Sequence, residues 1–190
     1  MFKLIRLLIS LIEKSILGFK YFGNNSIIKF PFIIFGKRYI SIGNNVFIAE
    51  NSGISVVKTY NGKIPLFEIG DNVSIGSNVF VTCIDKIKIE NNVLISSRVF
   101  IGDNIHAYRD ISRPIIEQGL EERGDVLIKE GAFLGINAII MPGVTIGKNS
   151  VVGAGTVVTH NIPDFSVVVG NPGKIIKKYS FKNRQWLNVK

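Results

Sequence analysis

Few side chains in this 190-residue chain have both the type and the setting to move a proton or hold a substrate, and His106 comes first. It ends the stretch Ile101-Gly102-Asp103-Asn104-Ile105-His106 and stands directly before a polar, charge-dense run, 107–127, that contains Pro114. Alternate residues of a strand point to opposite faces, so an inward Ile105 aims His106 outward, at the base of that run. An imidazole titrates near neutrality and can take the proton of an attacking hydroxyl, an effect worth about 10²–10⁴ in rate. Asp85 comes second. It falls where the repeat described below wants a small inward residue, and a carboxylate cannot be buried there unpaired. The chain must turn it outward, one coil before His106, where it can orient an imidazole or hold a substrate hydroxyl. Lys58 breaks the same position, beside a loop that accounts for it. Cys83, the one cysteine, could serve a covalent route, although a small apolar wall residue is the simpler reading. A single cysteine forms no intrachain disulfide and fits a reducing cytoplasm. Two histidines, His106 and His160, are too few for a three-histidine metal site, and no metal is expected.

The elements that must position these groups repeat every six residues. From Ile128 the series Leu134, Ile140, Ile146, Val152 and Val158 keeps register without a slip, with Ala132, Ala138, Val144, Ser150 and Thr156 four places on. Earlier sets are Ile42, Ile48, Ile54, then Ile69, Ile75, Val81, then Ile89, Ile95, Ile101. A hexapeptide period fits neither an α-helix nor a hairpin meander, and it is the signature of a parallel β-helix. Grouping in threes predicts three-sided coils, about five of them over 42–163, and a column about 24 Å tall. Interruptions at 59–68, near Ile87 and at 107–127 mark corners that bulge outward, and the longest of them is the functional candidate.

The ends differ from the column. Residues 1–22 carry Lys3, Arg6, Ser10, Glu13 and Lys20 at helical steps, which predicts an amphipathic helix. It is too interrupted by charge to span a membrane, so it packs on the solenoid end or a neighbouring subunit, or lies on an anionic membrane surface. Residues 23–41 read as an irregular lead-in and 164–190 as a C-terminal tail. The net charge of +9 alone is the only argument for nucleic acid, and no aromatic–basic motif supports it.

Over Ile42 to Lys178, most strongly from Ile101 onward, the chain resembles the hexapeptide-repeat acyltransferases. The stretch FLGINAIIMPGVTIGKNSVVGAGTVVTHNIPDFSVVVGNPGKIIKK is similar to the sugar-directed branch that includes the maltose and galactoside acetyltransferases and polysaccharide O-acetyltransferases. The resemblance implies a left-handed all-β solenoid, a hand that ordinary parallel crossovers would not supply. It places the catalytic histidine at His106 and the acceptor-side asparagine and aspartate nearest Asn78 and Asp85, with Tyr108 and Asp110 as further orienting or acceptor-binding candidates. The expected tryptophan of the apolar wall is Phe133, which keeps the wall and loses the indole N–H. The amide facing the thioester belongs to Ile136. The coenzyme A groove involves Ala154 and Thr159, with Lys174 and Lys177 on the phosphates. Relatives commonly carry arginines there, and lysine keeps the charge but not the bidentate geometry. Gly173 replaces an expected alanine.

The implied activity is direct acetyl transfer from acetyl-CoA to a sugar hydroxyl of a surface polysaccharide, lipopolysaccharide or capsule precursor, with a backbone N–H on the oxyanion. Two other readings stay open: N-acetyl transfer to an amino-sugar nucleotide, and a non-catalytic solenoid that binds a partner. The resemblance also implies a homotrimer with sites between subunits. The expected location is the cytoplasm, at the inner face of its membrane if residues 1–22 make peripheral contact there.

Overall fold

The computed structural model describes residues 18–59 and 62–189. The hexad dictates the architecture, because each repeat gives one short strand and one turn, and the chain winds round a three-sided column of parallel sheets. The first face stacks Tyr21–Phe22, Ile40–Ile42, Leu66–Ile69, Lys86–Ile89, Val126–Ile128 and Thr145–Ile146. The second stacks Ile27–Ile28, Phe47–Ile48, Ser74–Ile75, Leu94–Ile95, Phe133–Leu134, Val151–Val152 and Ser166–Val169. The third stacks Ile33–Phe35, Gly53–Val56, Phe80–Cys83, Phe100–Gly102, Ile139–Ile140 and Val157–Val158. Strands meet in register, so Ile42 pairs with Ile69, Ile89 with Ile128, and Ile128 with Ile146. All the aliphatic positions of the hexads are buried, and so are Ala132, Ala138, Val144, Ser150 and Thr156.

The five coils read from the hexads have a sixth beneath them. Phe22, Ile28 and Ile34 pair with Ile42, Ile48 and Ile54, so residues 23–41 are mostly a regular coil. An aromatic residue at its first hexad position hides the period. At the top, Ile162 bridges to Ile146 and Val168 pairs with Val152, which begins a seventh turn. Two further strands, Lys174–Ser180 and Gln185–Asn188, extend the second face antiparallel, so 164–190 is more than a tail. Of the helix expected over 1–22, residues 1–17 lie outside the described residues, 18–20 are not helical, and Tyr21–Phe22 is a strand.

Two of the three edges share one turn chemistry and the third departs from it. Between the first and second faces the fourth hexad residue turns through the left-handed region at Asn25, Asn45, Asn72, Asn92, Gly131 and Asn149. Asparagine and glycine carry the least penalty there. The side chains form a ladder, with Asn45 Nδ2 donating to Asn72 Oδ1 at 3.1 Å and Asn72 Nδ2 to Asn92 Oδ1 at 3.2 Å. Between the second and third faces Asn51, Asn78, Arg98, Asn137 and Gly155 turn the same way. The third edge, between the third and first faces, is where the period fails. Val144 and Ile162 hold the inward position in the upper coils, but Arg38, Lys58, Asp85 and Ile105 do not hold it lower down. There the strands run two residues further and bury Val56 and Cys83, and the next strands start early with Ile40, Phe67, Ile87 and Val126. The slip near Ile87 is this added length.

Leu134 is fully buried in the fifth coil. Leu134→Ala should therefore lower unfolding free energy by about 2–5 kcal/mol, read from urea denaturation.

Candidate active site

At Asp103 the chain leaves the column to build an arm. Asn104–His106 and Leu120–Glu122 pair antiparallel, with His106 opposite Leu120, and a 3-10 turn, Ile115–Glu117, lies in the connection. The chain rejoins the first face at Val126. The extruded run expected over 107–127 thus begins at Asp103 and ends just before Val126.

Asp103 fixes the arm's base, a role that the hexad pattern alone does not mark. Its carboxylate is fully buried and satisfied: Oδ1 accepts from Ile84 N at 2.9 Å and Asn104 Nδ2 at 2.8 Å, and Oδ2 from Asp85 N at 2.9 Å. Its carbonyl accepts from Arg123 N at 3.0 Å, which ties in the returning strand. Asn104 Nδ2 also reaches Thr82 Oγ1 at 3.1 Å. The available signal was register, since Asp103 stands two residues after Ile101, as buried Val56 and Cys83 stand after Ile54 and Val81. Ile105 is half-buried in the arm instead of in the core, while Asp103 and Asn104 take the buried places. His106 is exposed, as expected, but because it rides on the arm.

Asp85 lies at the corner just below this base, half-buried. Lys63 Nζ from the loop after Thr59 reaches Asp85 Oδ2 at 3.4 Å and Glu122 Oε2 at 2.8 Å. Hydrogen bonding to Glu122, and less so to Asp85, raises the ammonium's pKa against the desolvation that opposes it. One cation therefore joins loop, corner and arm. Glu122 and Lys63 gave no warning in the sequence, because both sit in polar runs where charge is ordinary. Tyr108 is exposed on the arm two residues past His106. Asp110 is occupied: it accepts from Ser112 Oγ at 2.6 Å and Arg113 Nε at 2.8 Å, and these bonds, Ser112's first, hold its carboxyl below the usual range. Cys83 is buried beneath Asp103, and burial, then Asp103's negative charge, pushes its thiol far up, which disfavours the thiolate a covalent route needs.

The other expected site residues lie elsewhere. Asn78, Ile136 and Ala154 stack on the edge between the second and third faces, the Ile136 carbonyl accepting from Gly155 N at 2.8 Å. Asn78 is one of that edge's left-handed turn residues. The turn before Lys174 closes over the same edge, with Gly173 N donating to Val157 O at 2.8 Å and Val157 N to Gly170 O at 3.0 Å. Gly173 has a packing reason, since a Cβ there would meet Thr156 Cγ2 and Val168 Cγ2 at 3.0 Å. Lys174 and Lys177 are exposed on the first added strand, and Phe133 stands on the second face between Leu94 and Val151. Thr159 is on the third edge, two coils above the arm, with Oγ1 2.8 Å from His160 Nδ1. One chain therefore carries two groups, the arm on the third edge and the wall and lysines around the second-to-third edge, one strand's length apart.

This fold has known counterparts. The family described as "Bacterial transferase hexapeptide (six repeats)" matches residues 125–160, and "Hexapeptide repeat of succinyl-transferase" matches 67–83. The chain is 33% identical over 184 residues to the putative lipopolysaccharide biosynthesis O-acetyl transferase WbbJ of Escherichia coli, covering 94% of this chain and 91% of that one. The chain belongs to the hexapeptide-repeat acetyltransferase family. As in that family, the β-helix is left-handed. Another family member, the galactoside O-acetyltransferase of Lactococcus lactis, is 33% identical over 145 residues, 75% of this chain and 64% of its own length. Among solved structures, the N-acyltransferase AntD of Bacillus cereus, in complex with dTDP and 3-hydroxybutyryl-CoA, superposes with a TM-score of 0.73 at 27% identity, over 92% of this chain and 90% of that one.

Removing the Asp103 carboxylate strands the N–H groups of Ile84 and Asp85 and leaves the Asn104 amide only its bonds to Thr82. Asp103→Ala should cost about 3 kcal/mol or more in urea denaturation, at about 1–3 kcal/mol per unsatisfied donor. Trypsin cleavage after Arg109 should accelerate in the same variant.

Proposed function

We propose that this hexapeptide-repeat enzyme transfers an acetyl group from acetyl-CoA to a sugar hydroxyl of a surface polysaccharide or its precursor, with His106 as general base. The observation that carries the reading is the setting of His106, an exposed imidazole on a short arm whose base is fixed by a buried carboxylate. Full-length similarity to an enzyme named for lipopolysaccharide O-acetyl transfer supports the substrate class.

The steps follow from the groups. The imidazole takes the proton of the acceptor hydroxyl as its oxygen attacks the thioester carbonyl. The tetrahedral oxyanion is stabilised by the Ile136 N–H. Collapse breaks the C–S bond, and the imidazolium returns its proton to the departing thiolate. Transfer is direct, in keeping with the buried Cys83. Lys174 and Lys177 meet the phosphates of coenzyme A, Ala154 and Phe133 line its apolar arm, and Thr159, on the third edge, borders it from the copy that supplies the His106 arm. Tyr108 and Asn78 contact the acceptor, while Asp85 and Asp110, already engaged by Lys63, Ser112 and Arg113, hold the arm in position.

Because the arm and the wall lie on different edges, a homotrimer supplies each site from two copies, the His106 arm from one and the Ile136–Ala154 edge from the next. The faces support this. Phe47, Leu94 and Phe133 point outward on the second face and Phe80, Phe100 and Ile139 on the third, while the first carries Ser41, Glu68 and Lys88. From the second coil upward, apolar faces on both sides of one edge turn that edge toward neighbours. Sedimentation velocity should show a trimer, and a monomer at assay concentration would contradict shared sites.

The likeness to AntD keeps N-acyl transfer as the second reading. The test is incubation with acetyl-CoA and candidate sugars. The expected product is an alkali-labile ester, whereas a stable amide would favour the second reading. His106→Ala should reduce the rate by about 10²–10⁴ with little change in acetyl-CoA affinity, and an unchanged rate would remove the proposed base.

A further inference from the structure

The bottom of the column has a surface that acetyl transfer does not use. Between Lys14 and Ala49 the sequence holds no acidic residue, yet it holds Lys20, Lys29, Lys37 and Arg38; Glu13 and Glu50 border the stretch, and Glu50 lies within reach of the charge of Lys29. The first coil turns its aromatic side chains into solvent, with Phe30 82% exposed, Phe32 76% and Phe35 57%. Phe30 is unsuitable twice over. Its φ of 35° lies in the left-handed region, where a bulky side chain is an outlier, and the coils above turn the same edge with Asn51, Asn78, Arg98, Asn137 and Gly155, of which Arg98 alone is bulky and none is aromatic. A residue that suits neither its turn nor water points to a contact that needs the ring.

The neighbours of these rings select the contact. Lysine is depleted in the buried cores of protein–protein interfaces, whereas here Lys29 adjoins Phe30 and the Lys37–Arg38 pair follows Phe35 closely. Aromatic rings at headgroup depth beside lysine and arginine are what an anionic bilayer surface accommodates. Residues 1–17, which lead into this coil, are mostly apolar with Lys3, Arg6 and Lys14 among them. Among the described residues no helix is long and apolar enough to cross a membrane, and this contact needs none.

We propose that the first coil is a docking surface for an anionic lipid bilayer: Phe30, Phe32 and Phe35 insert among the headgroups while Lys29, Lys37 and Arg38 meet lipid phosphates. The arm leaves the fourth coil, three coil spacings higher, so His106 stands roughly 14 Å above the first coil along the column. That height suits an acceptor carried on a lipid, a consequence that rests on the acetyl-transfer reading, whereas the docking itself does not.

The test is co-sedimentation of the full chain with vesicles of phosphatidylcholine alone or mixed with phosphatidylglycerol, so that docking is read without any activity. The chain should sediment with the mixed vesicles and not the neutral ones, and binding should weaken as salt rises. Phe30→Asn combined with Phe32→Ser should weaken binding at least tenfold while the circular dichroism spectrum and oligomeric state are kept, since asparagine suits the left-handed turn. Lys37→Ser with Arg38→Ser should lessen the preference for anionic lipid. The proposal fails if the unmodified chain stays in solution or if the phenylalanine variant binds as before, which would leave residues 1–17 as the anchor. It also fails if that variant loses its oligomeric state but keeps vesicle binding, for then the ridge joins copies of the chain.

Discussion

Everything in this molecule depends on stacking an aliphatic side chain on its counterpart one coil away while the strands between coils share backbone hydrogen bonds. Both requirements repeat at the same interval, so neither can slip alone: moving a strand by one residue would turn its apolar side chain from the core to water. The tolerance is small. A Cβ on Gly135 would approach Ala154 N to 2.7 Å, and one on Gly76 would approach Ser97 N to 2.6 Å. Two edges obey throughout the coils from Ile42 upward, with asparagine or glycine at most left-handed turns. The third edge is released from the rule in the lower coils, and what it gains there is two extra residues per strand, a loop and an arm.

That release is what makes chemistry affordable on a scaffold this regular. A side chain projecting from a strictly stacked hexad either enters the core or joins a flat face, and neither shelters a reaction. By leaving the column at Asp103 the chain lifts His106 clear of the wall and still anchors it, because the carboxylate that begins the arm is buried among donors from the preceding coil. The same carboxylate sits above Cys83 and helps keep that thiol protonated, so one buried charge both fixes the arm and disfavours a covalent route.

Much of this was legible in the residues, and what was missed has physical causes. The period, the inward aliphatics and the extruded run needed only counting, because stacking forbids exceptions. The first coil escaped because Phe22 fills an aliphatic position and Arg38 ends it. Asp85 could be turned outward by argument, since a lone carboxylate cannot occupy a small inward site. Its partner Lys63 could not be foreseen, because surface ion pairs depend on how loops fold back. Asp103 was missed for a subtler reason. Its burial follows from the two-residue extension of the third edge, and that extension shows only when strands are paired. Asn78 carries a left-handed turn whatever else it does, a duty that a motif comparison does not reveal.

The central claim is that the regular column is scaffold and that reaction occurs where the arm of one copy meets the second-to-third edge of the next. A crystal structure of the His106→Ala protein with acetyl-CoA and a sugar acceptor tests it most directly. The account predicts coenzyme A along the Ile136–Ala154 edge and an acceptor hydroxyl about 3 Å from where the wild-type imidazole nitrogen would lie. Coenzyme A bound along the polar first face, or an acceptor held out of reach of every arm in the assembly, would contradict it.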